Sequence, residues 1–197
     1  MRRLLSKFRP RNLWKKFVFR GVDFSDNYAA FRTAYLVADP YNLKSAQAAH
    51  RFLTTNRIIQ NNFGQVHRLL EVGCAEGYQS QHLKLLCSIL HGIDVSAKAI
   101  ARAKARCPTC RFSVEDLFSI QGPFDLVVAA EVLYYMKDIP AVLNRMSRLG
   151  SNCLVTYYEP YADRLDRYFA NIPGAREEVF QFRDARWKAV WWNTGAR

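Results

Sequence analysis

The fold is decided by residues 69–77, which read LLEVGCAEG. The apolar start of this stretch is typical of a parallel strand that is buried on both faces. Gly73, Ala75 and Gly77 follow the strand, and such small residues allow a tight backbone turn close to a ligand. A helix that begins after the turn presents its N-terminus, which attracts negatively charged groups. The stretch therefore predicts the first strand, turn and helix of an α/β sheet, with a ligand at the turn.

Strand and helix patterns alternate along most of the chain. Short apolar runs predict strands, and apolar residues at helical spacing predict helices. The predicted strands cover residues 69–72, 89–94, 111–114, 124–130, 153–157, 178–182 and 187–192, and the predicted helices cover residues 46–59, 79–86, 97–106, 139–149 and 162–170. This order predicts a Rossmann-like, doubly wound α/β sheet of seven strands, mostly parallel with an antiparallel C-terminal hairpin. Trp187, Trp191 and Trp192 are expected to complete its hydrophobic face, and a sugar or aromatic substrate can stack on any one of them that is exposed.

Charge is distributed unevenly along the chain. The chain has 197 residues, half of them hydrophobic, which suffices for one packed domain and excludes a disordered or collagen-like protein. The net charge is +12, but residues 1–20 hold eight Lys or Arg side chains and no acid. The remaining residues carry 21 basic and 17 acidic side chains. We therefore divide the chain into a basic amphipathic N-terminal extension, residues 1–25, and a domain over residues 26–197.

The basic extension leaves two interpretations open. Its apolar residues include Trp14 and Phe17, and Pro10 divides it into two short amphipathic pieces. Such a segment can lie at a membrane surface with its cations toward the lipid headgroups. A flexible extension without a partner fits the composition equally well. No run reaches the roughly 18 apolar residues of a membrane span, so we expect a cytoplasmic protein, either free or peripheral at the inner membrane surface.

Cysteine usage favours reduced thiols. Five cysteines are scattered in a chain without an export signal, which argues against a disulfide framework. Cys107 and Cys110 form a C-x-x-C motif, but the second pair or His cluster that a zinc site requires does not accompany it. The sequence therefore predicts no metal site.

Acidic residues follow each of the first four predicted strands. Glu71, Asp94, Asp116 and Glu131 occupy these positions. In a parallel α/β sheet, ligands bind at the carboxyl ends of the strands, so we expect these side chains to surround one site. Asp94 can accept hydrogen bonds from both hydroxyls of a ribose. The turn after the first strand lacks the G-x-G-x-x-G pattern of nicotinamide and flavin sites, since Tyr78 stands in place of the last glycine.

Residues 39–192 resemble the class I S-adenosylmethionine-dependent methyltransferases. Residues 70–77 are similar to their glycine-rich first motif, residues 92–96 to the ribose-binding second strand, residues 115–117 to the adenine-binding segment and residues 124–135 to the fourth motif. The four motifs occur in the order and at the spacing of that family. The resemblance implies S-adenosyl-L-methionine as the cofactor.

Two of these motifs look most like those of the nodulation protein S (NodS) N-methyltransferases, which methylate an amino sugar of a chitooligosaccharide. They are E-V-G-C-A-x-G at residues 71–77 and A-E-V-L-Y-Y at residues 130–135. In the Asp39-Pro40-Tyr41 stretch, Tyr41 stands where this family tends to have Trp, and residues 149–152 lack its Pro-Gly-Gly turn. The resemblance implies methylation of a small acceptor.

The resemblance also implies a role for each candidate site residue. Glu71, Gly73 and Gly77 would surround the methionine end of the cofactor, and Cys74 and Ala75 would line it by their backbone. Asp94 would hold the ribose, and Val95 would pack on the adenine. Asp116 and Leu117 would hydrogen-bond the adenine edge, and Tyr41 would cover the site. Glu131 would border the reacting methyl group and orient or deprotonate the acceptor. Tyr134 and Tyr135 would contact an amine by hydrogen bonds or cation–π interactions.

We therefore expect methyl transfer to a small acceptor, in particular an amine of a sugar-containing or lipid-linked metabolite. The basic N-terminus suggests a nucleic-acid methyltransferase as an alternative. Residues 131–134 read EVLY, however, and lack the Asp or Asn, two prolines and aromatic residue of the common base-amine motif. A non-catalytic scaffold that retains the cofactor site is the second alternative.

Overall fold

A seven-stranded sheet lies at the centre of the computed structural model, which describes residues 22–195. The strands are β1 (Val66–Val72), β2 (Cys87–Asp94), β3 (Arg111–Val114), β4 (Phe124–Ala130), β5 (Gly150–Tyr158), β6 (Arg176–Phe182) and β7 (Ala185–Asn193). They lie in the order β3-β2-β1-β4-β5-β7-β6. The first five strands pair in parallel, whereas β7 pairs antiparallel with β5 and β6. The predicted Rossmann-like sheet with an antiparallel C-terminal hairpin is therefore confirmed.

The direction of the strand order changes between β1 and β4. These two strands are neighbours, with Leu69 opposite Leu126 and Val72 opposite Ala129. From β1 the chain proceeds outward through β2 and β3, and from β4 it proceeds outward to β5 on the other side. Ligand crevices of open α/β sheets form at such a switch point, at the carboxyl ends of the strands. The topology therefore positions a crevice at the ends of β1 and β4.

The α-helices of residues 22–195 cover both faces of the sheet. They are α1 (Tyr28–Ala34), α2 (Ala46–Phe63), α3 (Ser80–Leu83), α4 (Ala97–Arg106), α5 (Ile139–Leu149) and α6 (Ala162–Phe169). Ser45, Ser96 and Asp138 cap α2, α4 and α5, each accepting a hydrogen bond from the backbone N–H three residues on. A cap of this kind satisfies a backbone donor that the first turn of a helix leaves unpaired. The caps explain why these helices begin where they do.

Two hydrophobic cores lie on opposite faces of the sheet. Val127 and Ala129 of β4 pack in the core that includes α5 and α6. Leu126 and Val128 of the same strand pack in the core that includes α2 and α4. Successive side chains of a strand point to opposite faces, so a strand covered on both sides must be apolar throughout. The continuous apolar run of β4 is thus explained by burial on both faces.

Some element boundaries differ from those predicted. β1 begins at Val66, because Val66 and Arg68 pair with β2 although the polar His67 and Arg68 break the apolar pattern. The helix predicted over residues 79–86 is the short α3 followed by a 3₁₀ turn, Lys84–Leu86. The sequence pattern does not predict α1, which is seven residues long and is held by contacts with distant residues.

The N-terminal end of the described chain packs on the domain. Val22 is buried, and the backbone N–H of Phe24 donates a hydrogen bond to the carbonyl of Tyr134 at 2.9 Å. The basic segment predicted over residues 1–20 lies outside the described residues. Within residues 22–195, none of the helices has the length and apolar character needed to cross a membrane.

Candidate active site

A cavity of about 570 Å³ opens at the carboxyl ends of β1, β2 and β4. Its wall includes most of the residues that the sequence predicts for the site: Tyr41, Glu71, Gly73, Cys74, Ala75, Asp94, Val95, Asp116, Leu117, Glu131, Tyr134 and Tyr135. This volume is within the range of small-molecule sites. The crevice at the switch point of the sheet is therefore the candidate active site.

Two glycines with positive φ shape the turn after β1. Gly73 has a φ of 68°, and a Cβ there would lie 2.6 Å from Cγ2 of Val132. Gly77 has a φ of 76°, and a Cβ there would lie 3.0 Å from Cα of Ala103 in α4. Gly73 thus lets the turn approach the loop after β4 at the cavity. Gly77 does not belong to the cavity wall, and its close approach to α4 gives it a packing role.

Asp94 ends β2 and is held against the turn. Its Oδ2 accepts a hydrogen bond from the backbone N–H of Ala75 at 3.1 Å, and its Oδ1 accepts one from the N–H of Ser96 at 2.8 Å. Burial raises the pKa of Asp94 to about 6, against the effect of these two hydrogen bonds. The fixed carboxylate retains lone pairs that can accept hydrogen bonds from neighbouring hydroxyls.

Glu71 ends β1 and is 3% exposed. Its Oε2 accepts a hydrogen bond from the Ser80 hydroxyl at 2.5 Å. Burial raises the pKa of Glu71 to about 8, and the Ser80 hydrogen bond and the Arg51 guanidinium oppose this rise. A cationic group bound beside Glu71 would favour the ionised carboxylate.

Glu131 follows β4 with a φ of 61°, a value that is uncommon for residues other than glycine. Its Oε1 accepts a hydrogen bond from the Thr156 hydroxyl at 3.1 Å, and its Oε2 accepts one from the Tyr134 hydroxyl at 3.2 Å. Burial raises the pKa of Glu131 above its usual range, although Arg51 and these hydrogen bonds act in the opposite direction. Backbone strain and a shifted carboxyl on one residue are typical of functional sites.

Aromatic rings form much of the cavity wall. The Tyr134 ring stacks on Tyr161 with centroids 4.3 Å apart, and it meets Tyr135 edge to face at 4.6 Å. Tyr135 also contacts the edge of Phe31 at 5.1 Å and lies 6.3 Å from Tyr41. The structure therefore brings Tyr41, Tyr134 and Tyr135 into one cluster of rings on the cavity wall.

α1 contributes cavity residues that the sequence analysis does not identify. The Tyr28 hydroxyl donates a hydrogen bond to Oδ2 of Asp116, whose Oδ1 accepts one from the backbone N–H of Phe118 at 2.8 Å. Arg32 Nε donates a hydrogen bond to the carbonyl of Val95 at 3.3 Å. α1 is thus attached beside the two segments predicted to contact adenine. No motif marks this helix, because its partners lie far away in the sequence.

Arg51 and Gln79 are further cavity residues that the sequence analysis does not identify. Arg51 lies on α2, is 6% exposed, and its Nη1 donates a long hydrogen bond of 3.5 Å to Oε1 of Gln79. The buried Nε2 of Gln79 finds no acceptor among residues 22–195. A buried donor without an acceptor is costly, and an anionic group bound beside these two side chains would relieve that cost. The sequence offers one signal for Arg51, which is a charged residue at a position where the apolar pattern of α2 predicts burial.

The C-terminal hairpin closes the cavity near Glu131. Trp187 of β7 pairs with Tyr158 of β5, and both residues line the cavity. The Trp187 indole lies near the Glu131 carboxyl and acts to lower its pKa. From the sequence, Trp187 is one of three tryptophans expected in the hydrophobic face, any of which can stack on a substrate if exposed. The strand register, a tertiary feature, selects Trp187 for the cavity.

Among residues 22–195, no three His, Cys, Asp or Glu side chains are grouped in a way that could hold a metal ion. Charged groups do line the cavity wall. They combine several carboxyl groups with the single guanidinium of Arg51 within this part of the chain.

Comparison with known proteins identifies the family. The family model of nodulation protein S (NodS) matches residues 25–156, which include the turn after β1, the end of β2 and the loop after β4. The chain belongs to the NodS family. Nodulation protein S of Sinorhizobium fredii strain NGR234 is 31% identical over 165 residues, covering 78% of this chain and 75% of the relative. The protein of the same name from Bradyrhizobium diazoefficiens is 33% identical over 176 residues, covering 81% and 80%.

A solved structure shares the fold of this NodS-family chain. The N-methyltransferase NodS from Bradyrhizobium japonicum WM9, in complex with S-adenosyl-L-homocysteine, matches with a TM-score of 0.72 at 21% identity. The match covers 86% of this chain and 98% of that one. Together, the family match and the shared fold confirm the prediction of a class I S-adenosylmethionine-dependent methyltransferase.

The buried carboxyl of Glu71 predicts a pH-dependent stability. Its pKa is raised from 4.5 to about 8 in the folded chain, so between these values the folded state holds a proton that the unfolded state releases. The free energy of unfolding of the ligand-free protein should therefore fall as the pH rises through this window. Glu71→Gln cannot titrate and retains an acceptor for Ser80. Urea denaturation measures the free energy of unfolding at each pH. Between about pH 5 and about pH 8, this free energy should fall by on the order of a few kcal/mol more in the wild type than in the variant. Parallel curves for the two proteins would exclude this titration.

Proposed function

We propose that this methyltransferase acts on an amine of a small acceptor, in particular a sugar-containing or lipid-linked metabolite. The observation that carries the proposal is the position of Glu131, whose carboxyl lies on the cavity wall among the aromatic side chains of Tyr134, Tyr158 and Trp187. The NodS protein of B. japonicum is an N-methyltransferase, which supports nitrogen as the attacking atom.

The cavity residues fit S-adenosyl-L-methionine. Asp94 has lone pairs for the ribose hydroxyls, and Val95 lies beside it for contact with the adenine. Asp116 and the backbone N–H of Leu117 can hydrogen-bond the adenine edge, with Tyr28 of α1 adjacent to Asp116. When bound, S-adenosyl-L-methionine supplies a methyl group activated by a positively charged sulfur.

The methionine end of the cofactor fits the part of the cavity wall around the turn after β1. Gly73, Cys74 and Ala75 leave room for a ligand against the backbone of the turn. Glu71 can accept a hydrogen bond from the ammonium group, whose charge would favour the ionised carboxylate. The Arg51 guanidinium and the unpaired Nε2 of Gln79 provide two donors for the carboxylate group. Within residues 22–195, this pair is the feature of the cavity that best explains recognition of an anion.

Glu131 can prepare the acceptor for attack. An amine reaches the site mostly as an ammonium ion, which has no lone pair on nitrogen and must lose a proton before it can accept a methyl group. The raised pKa of Glu131 increases its affinity for that proton. Tyr134 and Thr156 hold the two carboxyl oxygens in place, so the proton acceptor is fixed at the cavity wall.

The aromatic wall suits the proposed acceptor class. The stacked rings of Tyr134 and Tyr161 and the neighbouring Trp187 present flat apolar surfaces beside a carboxyl group. An ammonium ion is attracted to such rings, and the apolar face of a sugar ring packs against them. Exclusion of water by these side chains would also strengthen the electrostatic interactions within the cavity.

Cofactor binding provides a first test. S-adenosyl-L-homocysteine and 5′-methylthioadenosine share the nucleoside, but the latter lacks the amino-acid carboxylate. Arg51→Met should weaken the binding of S-adenosyl-L-homocysteine by roughly 10-fold to 100-fold, the cost of a charged hydrogen bond. It should leave the binding of 5′-methylthioadenosine unchanged. The matched control is Asp94→Ala, which should weaken both, because both contain the ribose. Calorimetric titration measures the affinity of each ligand for the wild type and for both variants. An equal loss of affinity for the two ligands in Arg51→Met would contradict the carboxylate assignment.

Turnover tests the role of Glu131. With an amino sugar as acceptor, mass spectrometry should detect the gain of one methyl group, and the N-acetylated sugar should gain none. Glu131→Gln should reduce kcat by about 100-fold, since a positioned base typically contributes at least that factor, and should leave S-adenosyl-L-homocysteine affinity nearly unchanged. The wild-type rate should fall as the pH decreases and Glu131 becomes protonated. Unchanged turnover in the variant would remove Glu131 from catalysis.

We further propose that the predicted N-terminal extension, residues 1–25, brings the domain, residues 26–197, to anionic membrane surfaces through its basic residues 1–20. Its described end, at Val22 and Phe24, packs on the domain. The support is the charge of residues 1–20, with eight Lys or Arg side chains and no acid. Headgroup attraction amounts to about 1 kcal/mol for each cation near the surface.

Vesicle binding tests this extension. The full chain should sediment with vesicles that contain phosphatidylserine and not with neutral phosphatidylcholine vesicles. Changing Lys15, Lys16 and Arg20 to Gln should weaken the association at least about tenfold. The matched control changes three exposed cations of the domain to Gln, namely Lys98, Lys104 and Arg148. Equal losses in both variants would refute the proposal, and binding to random duplex DNA without vesicle binding would favour the nucleic-acid alternative.

A further inference from the structure

The C-x-x-C motif forms a tight turn at the end of α4, away from the cavity. Cys107 caps the C-terminus of α4, and the backbone N–H of Cys110 donates a hydrogen bond to the carbonyl of Cys107 at 3.0 Å. The two sulfur atoms are 2.7 Å apart. Neither residue lines the candidate active site.

The backbone of this turn already has the spacing that a disulfide requires. In a β-turn closed by an i to i+3 hydrogen bond, the end Cα atoms lie within about 7 Å. Disulfides span Cα separations of about 4.4–6.8 Å. Cys107 and Cys110 can therefore be joined by side-chain adjustment, without moving the neighbouring helix or strand.

Cys110 differs from the other four cysteines in access, since Cys107 is also buried. Cys110 is partly exposed, whereas Cys74 and Cys153 are buried in other parts of the fold. Cys87 is buried at the start of β2 and lies near the pair. The partly exposed Lys84 is also near the pair and hydrogen-bonds Thr109 within the turn. Among residues 22–195 there is no group of three metal-ligating side chains, so thiol chemistry is favoured over metal binding at this turn.

We propose that Cys107 and Cys110 are a redox-active dithiol that forms an intramolecular disulfide by exchange with a small disulfide such as oxidised glutathione. The Cys110 thiolate attacks one glutathione sulfur, the glutathione S–S bond breaks, and one glutathione leaves as its thiol. The Cys107 sulfur then attacks Cys110 in the mixed disulfide and releases the second glutathione. The protein loses two electrons and two protons, and both are recovered in the two reduced glutathione molecules. This proposal does not depend on the identity of the methyl acceptor.

The surroundings of Cys110 determine how fast the exchange proceeds. Burial and the hydrogen bond with Cys107 raise the pKa of Cys110 to about 12, nearby Cys87 adds to this rise, and Lys84 opposes it. Because the thiolate is the attacking species, the exchange should be slow at neutral pH and accelerate by about tenfold for each pH unit between about pH 7 and pH 9. A dithiol of this kind responds to sustained oxidation and not to brief exposure.

Peptide mapping tests the proposal directly. Trypsin cleaves after Arg106 and Arg111, so both cysteines are released in one peptide, residues 107–111. After the full chain is incubated with oxidised glutathione and alkylated, this peptide should be lighter by two hydrogens and resist alkylation. Dithiothreitol before digestion should restore both alkylation sites. The peptides that contain Cys74 and Cys153 should be alkylated throughout.

Single substitutions provide the controls. Cys110→Ser should not form the intramolecular disulfide, whereas Cys153→Ser, which removes a thiol elsewhere, should oxidise at the wild-type rate within about twofold. Circular dichroism and S-adenosyl-L-homocysteine binding show that each variant is folded. The proposal is overturned if peptide 107–111 remains fully alkylated, if it accumulates a stable glutathione adduct, or if the disulfide joins Cys87 to either cysteine.

Discussion

The buried carboxylate of Glu76 joins three segments, two of which line the cavity. It accepts hydrogen bonds from the backbone N–H of Asp39 at 2.8 Å and from Arg102 at 2.6 Å, and Arg106 donates to the Glu76 carbonyl at 2.8 Å. The loop before α2, the turn after β1 and α4 thereby keep fixed relative positions. A buried charge is tolerated only when it is paired and hydrogen-bonded, so these segments must assemble together. Glu76, which is 1% exposed, thus holds the loop before α2 and the turn after β1, two segments that line the cavity.

Among residues 22–195, the carboxyl groups of Glu71 and Asp94 in the cavity have no ion-pair partner like that of Glu76, and their pKa values are raised. Glu71 is held by the Ser80 hydroxyl and Asp94 by backbone N–H groups, and burial raises the pKa of both. In the ligand-free chain their ionisation is opposed by the cost of desolvation, which lowers stability at neutral pH. A ligand with a cationic group and hydroxyl donors would relieve this cost. The buried carboxyl groups that lower the stability of the ligand-free protein are thus the groups best suited to bind such a ligand.

The cavity is built from two kinds of sequence information. The half beside Asp94 and the turn after β1 comes from short segments in which a strand, a turn and a helix follow one another. Their chemistry could be predicted from residues 71–77 and 94, because the strand ends of a parallel sheet always meet at one edge. The half beside Glu131 is assembled from α2, the end of β5 and the C-terminal hairpin. Arg51, Tyr158 and Trp187 are far apart in sequence and share no motif, so no local pattern predicts that they meet.

The sequence by itself determined the α/β class, the antiparallel hairpin and the acids at the strand ends, because apolar periodicity and turn residues act over a few positions. Only the tertiary structure decided that α1 forms and contacts Asp116, since its hydrogen bond links residues 88 positions apart. It also separated Gly77 from the cavity and placed the unpaired donor of Gln79 within it. These features depend on how helices pack across the sheet, and helix packing is set by side chains that the local pattern does not bring together.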